Sequence, residues 1–138
     1  MIFYFTATGN SLYVARQLEN EPISIAKAKN DGIGKQFTFV DEIENFDEYE
    51  VIYIGVPVWW SKLPQPMVSF FESYDFSGKT IIPFGIHLGS RFGSMIDQMK
   101  ELEPDATILD GFTISADTAN DKVRTEFDAF LETVENNL

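Results

Sequence analysis

The chain has 138 residues, 44% of them hydrophobic and 23% charged, a balance that suits a single globular domain over residues 1–138. Ten Lys and Arg stand against 22 Asp and Glu, a net charge of −12 that repels nucleic-acid phosphates and attracts basic protein surfaces, besides serving solubility. Cysteine is absent, which excludes disulfides, thiol catalysis and cysteine-ligated metal centres, and no apolar run approaches the roughly 20 residues of a membrane span.

Apolar runs alternate with helical periodicity along the whole chain. Ile2 to Phe5 is a short all-apolar strand, too brief for the core of a signal peptide, so a cytoplasmic location is expected. A helix starts near Asn10 or Ser11 and aligns Leu12, Ala15 and Leu18. The second strand is either Ile23-Ser24-Ile25 or Phe37-Thr38-Phe39-Val40. Lys27 to Lys35 between them, with Asn30, Gly32 and Gly34, reads as a loop, and a short acidic helix is expected at Glu42 to Phe46.

Val51 to Val56 is the clearest strand. After Pro64, the positions Met67, Phe70, Phe71 and Tyr74 repeat at helical spacing and form an amphipathic face. Thr80 to Ile86 is a fourth strand. Pro83 cannot donate to a ladder, so a bulge or local break is expected there. Phe92, Met95, Ile96 and Met99 mark a helix that stops before Pro104. Ala106 to Ile114 reads as one strand kinked at Asp110-Gly111, in preference to a hairpin at that dipeptide. A last helix starts near Asn120 and buries Val123, Phe127, Phe130, Leu131 and Val134.

Strands separated by helices imply parallel pairing with right-handed crossovers and helices on both faces of the sheet. Ligands of such folds sit beyond the carboxyl ends of the strands. Three loops therefore carry the functional expectation. The first, Thr6-Ala7-Thr8-Gly9-Asn10-Ser11, sets three hydroxyls and an amide between a strand and a helix start. Those groups either cap the helix or, with its free amides, hold a phosphate. No lysine is present, which excludes a Walker-type triphosphate site.

The second loop, Pro57-Val58-Trp59-Trp60-Ser61-Lys62, contains both tryptophans of the chain. Neighbouring side chains on extended backbone point to opposite faces, so both cannot enter one core. At least one covers a flat ligand or lies exposed. The third loop runs Ile86-His87-Leu88-Gly89-Ser90-Arg91, with the only histidine of the chain. His87 either contacts a ligand or is merely solvated. Arg91 either offsets negative charge on a ligand or is an ordinary surface arginine.

Thr6-Ala7-Thr8-Gly9-Asn10-Ser11 resembles the phosphate loop of flavodoxins, usually written T-x-T-G-x-T, with Ser11 keeping the hydroxyl of the last threonine. Gly55 to Trp60 and Tyr74 to Phe84 resemble one bacterial branch of that family, and the uninterrupted approach to the last strand resembles its short-chain type. The resemblance implies a three-layer α/β flavodoxin-like fold: a five-stranded parallel sheet in order 2-1-3-4-5 with helices on both faces, binding FMN. It further implies that Thr6, Thr8, Gly9, Asn10 and Ser11, with Ala7 between them, hold the ribityl phosphate. Trp59 or Trp60 would pack on the isoalloxazine ring beside Pro57, Val58 and Ser61. His87, Leu88, Gly89 and Arg91 would edge its pyrimidine end. The third loop lacks the Ser-Gly-Gly run of that branch.

Many flavodoxins have Trp-Gly where this chain has Trp59-Trp60, and there the glycine lets a peptide turn over when the flavin takes up one electron. A non-glycine residue forced into strained backbone costs on the order of 1–3 kcal/mol. For one electron that is roughly 40–130 mV, so the resemblance implies a weakly populated one-electron state.

Two functions follow as expectations. The first is an FMN-binding electron carrier that works with basic redox-partner proteins, away from nucleic acid and membranes. The second is an NAD(P)H-dependent FMN or quinone reductase on the same fold, with NAD(P)H or a quinone as a small-molecule partner. No residue is assigned a catalytic or metal-ligating role. A signalling receiver domain is rejected, because the clearest strand ends at Val56-Pro57 where a phosphorylated aspartate would stand.

Overall fold

The computed structural model describes residues 2–4, 23–24, 26–30, 35–39, 43–58, 60–87, 89–115 and 120–137. It is a three-layer α/β structure. Strand β1 (Ile2–Tyr4) pairs in parallel with β2 (Ile23–Ser24) on one side and β5 (Val51–Pro57) on the other. β5 pairs in parallel with β6 (Thr80–His87), which pairs in parallel with both β7 (Thr107–Ile108) and β8 (Phe112–Ser115). The second strand is therefore the Ile23 candidate.

The expected loop at Lys27–Lys35 is corrected. β3 (Ala26–Asn30) and β4 (Lys35–Phe39) form an antiparallel pair of their own, in which Ala26 faces Phe39 and Ala28 faces Phe37. Alanine and lysine are weak strand formers, and their strict alternation is the signal that was outweighed. The short acidic helix is also displaced: the chain makes a single 3-10 turn at Phe46–Glu48. The expected first helix lies outside the described residues.

The helices α1 (Gln65–Ser73), α2 (Met95–Leu102) and α3 (Asn120–Asn137) flank the sheet. Strand side chains alternate between faces, and two cores result. On one face Ile52, Ile54, Val56 and Ile81 meet Met67, Phe70 and Phe71 of α1 and Met95 and Met99 of α2. On the other, Phe84, Phe112 and Ile114 meet Phe127 of α3, with Phe130 and Leu131 partly covered. Val134 is buried as expected, whereas the Val123 side chain lies outside the described set. Pro66 sits in the first turn of α1, where a missing N–H costs nothing. Tyr74 follows the helix in extended backbone, and its ring packs on Phe46 and Phe70.

Pro83 does not break β6. The strand keeps unbroken register with β5, with Pro83 opposite Ile54. The carbonyls of Lys79 and Ile81 accept from Thr107 and Leu109, so alternate residues, Pro83 included, face the β7–β8 side. The interruption lies in that neighbour. Ile81 pairs with Ile108 and Phe84 with Phe112, so β6 advances by three residues while its partner advances by four. This is a one-residue bulge, and Gly111 within it has φ 72°. A Cβ on Gly111 would stand 2.2 Å from the Pro83 carbonyl oxygen. The proline needs no donor partner, and the bulge takes up the gap beside it. Because β7 and β8 both run parallel to β6, Asp110-Gly111 is not a hairpin turn.

Candidate functional site

The carboxyl ends of β5 and β6 bring the second and third loops together. The Val58 N–H donates to the Ile86 carbonyl at 3.0 Å, extending the pairing one residue beyond β5. Pro57 and Val58 are half-buried and complete the sheet end, where Val58 and Phe92 close over Gly85. Trp60 then leaves the core altogether. Its indole is 95% exposed, and it is the large apolar side chain that stands out among the described residues. An exposed indole at a strand's carboxyl end is the arrangement expected of a residue that covers a flat ligand.

Its backbone is unusual as well. Trp60 and Ser61 are consecutive left-handed residues, with φ 53° and 59°. For residues with a Cβ this costs roughly 1–2 kcal/mol each. The left-handed backbone at Trp60 is thus already present in this loop, whereas the sequence reading placed the strain in the form that accompanies one-electron uptake. The compensation comes from the start of α2. The Ser61 carbonyl accepts both the Ser94 N–H at 2.9 Å and the Ser94 hydroxyl at 2.8 Å. Two residues on, the Leu63 N–H donates to Gln98 Oε1 at 2.7 Å. Gly93 allows the approach, because a Cβ there would lie 2.4 Å from that of Ser61.

In the third loop His87 ends β6 half-buried. Its Nδ1 accepts the Gly89 N–H at 2.8 Å, which leaves Nε2 to carry the proton of the neutral ring. Gly89 and Arg91 both have positive φ, 123° and 52°, and both are exposed. Thr6, Ala7, Thr8, Gly9, Asn10, Ser11, Trp59 and Leu88 lie outside the described residues. Gly93, Ser94 and Gln98 were not singled out from the sequence. A serine just before a helix reads as an ordinary N-cap, and its diversion to a loop 33 residues away leaves no local trace. Among the described residues no cluster of His, Asp or Glu is arranged to hold a metal ion.

A family model described as flavodoxin matches residues 30–130. The chain belongs to the flavodoxin family. It is an FMN-binding electron-transfer protein of flavodoxin type rather than a dedicated reductase. Solved structures agree in fold. A Bacteroides uniformis protein described as a flavoprotein superposes with a TM-score of 0.76 at 22% identity, covering 93% of this chain and 96% of that one. A Bacteroides eggerthii protein of the same description gives 0.71 at 24%, covering 93% and 94%. A Fusobacterium nucleatum flavodoxin bound to flavin mononucleotide gives 0.66 at 10%, covering 99% and 96%. No curated protein matches.

Trp60 offers an open aromatic face, and the loop bearing it is hydrogen-bonded to Ser94 and Gln98 at the start of α2.

Proposed function

We propose that the loops following β1, β5 and β6 form one FMN cradle, on a sheet ordered 2-1-3-4-5 in which β7 and β8 are two halves of a single bulged edge strand. The parallel pairings and the one-residue register offset support that order. Thr6, Thr8, Asn10 and Ser11 supply hydroxyl and amide donors for the phosphate, Gly9 lets the backbone approach, and Ala7 spaces the donors. These donors are neutral, so the phosphate keeps its negative charge. Trp59 or Trp60 covers the ring system and excludes water from it. Gly89 and His87 form the opposite edge, where the Gly89 bond to Nδ1 fixes the imidazole and leaves Nε2 as its donor. Arg91 places a positive charge beside them.

FMN, when bound, supplies the electron chemistry; the chain supplies binding, orientation and charge. The net charge of −12 favours basic redox-partner proteins as the source and destination of electrons.

The observation that carries this reading is the fully exposed Trp60 indole on a loop whose backbone is already fixed. Comparison of FMN with riboflavin tests it. A phosphate cradle predicts FMN binding at least about 100-fold tighter than riboflavin, the worth of two charge-assisted hydrogen bonds. Equal affinity would remove the cradle from the account.

A further inference from the structure

An N-cap serine ordinarily turns its hydroxyl back to a free amide of its own helix, and helices that lack this bond are weaker. Ser94 stands at the N-cap of α2 and makes no such bond. Its hydroxyl reaches instead to the Ser61 carbonyl, which its own N–H already serves. Four residues on, Gln98 holds the Leu63 amide, and Gly93 presses its bare Cα side against Ser61. The start of α2 thus grips 61–63 at three points, although α2 would gain from keeping its cap. What the diversion secures is the left-handed pair Trp60–Ser61.

We infer that Ser94 is a positioning residue: by holding the Ser61 carbonyl it keeps the Trp60 loop in its left-handed form and so sets how tightly the flavin binds and at what potentials it works. This rests on the FMN reading for its second half, whereas the hold on the loop concerns the chain alone. A loop already in its binding form spares the ordering cost when the cofactor arrives. Without the hydroxyl, the Ser61 carbonyl keeps only the Ser94 N–H, and the left-handed form of Trp60 and Ser61 loses part of its support against relaxing to right-handed backbone.

The test compares the wild type with Ser94→Ala, Ser94→Thr and Gln98→Ala. In the cofactor-free proteins, amide hydrogen exchange over 60–63 should quicken about three- to tenfold in Ser94→Ala and Gln98→Ala, the worth of one hydrogen bond, and return to within twofold of wild type in Ser94→Thr. With FMN added, Ser94→Ala should weaken binding by a similar factor. It should also shift the separation of the two one-electron potentials by up to about 59 mV, which corresponds to tenfold, with Ser94→Thr again restoring both. Unchanged loop exchange in Ser94→Ala overturns the inference, as do unchanged affinity and potentials beside a merely lowered melting temperature. Should Ser94→Ala fail to fold, Gln98→Ala decides by the same readouts. A wild type whose loop is protected and loosened by these variants, yet takes up no FMN, would fail the FMN reading and leave the hold on the loop supported.

Discussion

Glu103 closes α2, and its burial raises the carboxyl pKa to about 7, with the nearby Asp75 carboxylate adding to the effect. The folded chain therefore holds a proton that the unfolded chain gives up near 4.5. Stability from this group is fully present below that value and is lost as pH rises through about 7. Asp75 works the other way: its hydrogen bonds from Ser77 lower its pKa, so its contribution disappears only when the solution becomes more acidic than its usual range. Thermal melts of wild type and Glu103→Gln should coincide near pH 4.5 and separate toward pH 8, the glutamine form melting higher. Parallel curves across that range would contradict the assignment. At this scale the sequence was informative where chemistry and position coincide. The paired tryptophans announced an exposed indole, and Trp60 is one. The role of Ser94 was hidden because its partner is remote in the chain and its type is explained equally well by an ordinary cap.

The elements with strong periodicity, β5, β6 and the three described helices, were legible from apolar spacing, because each buries one stripe or one pair of faces in a defined core. Weaker elements were not. The ribbon of β3 and β4 was lost behind the low strand preference of Ala and Lys, although the Ala26-Lys27-Ala28-Lys29 alternation and the Asp31-Gly32 turn signal stand in the sequence. Pro83 was read correctly as an obstacle within its strand, but the bulge was expected in that strand and lies in its neighbour. The residue facing the obstacle, rather than the obstacle itself, carries the bulge. Gly111→Ala should therefore be costly, since its Cβ would meet the Pro83 carbonyl and its φ is 72°. A loss of about 2 kcal/mol or more is expected, lowering the melting temperature by several degrees. An unchanged melt would show that the edge strand can shift away from β6.

Across the whole molecule, charge and fold point to one use. A net charge of −12 would attract a basic partner at long range, and such attraction is screened as the Debye length falls from about 30 Å at 0.01 M salt to about 8 Å at 0.15 M. Electron exchange with a basic partner should slow at least about tenfold between those conditions, and a rate indifferent to salt would contradict steering. Among the described residues no helix is long and apolar enough to cross a membrane. The layered arrangement was legible because alternating strands and helices admit few packings. The loops at its carboxyl end were legible only in part, since sequence places them at one end but does not show how α2 fixes one of them.

The most direct measurement is titration of the cofactor-free protein into FMN while the green fluorescence emission of the flavin is followed. An aromatic side chain stacked on the ring should quench that emission, with a break at one protein per flavin. Undiminished emission at saturating protein would contradict the account at its foundation.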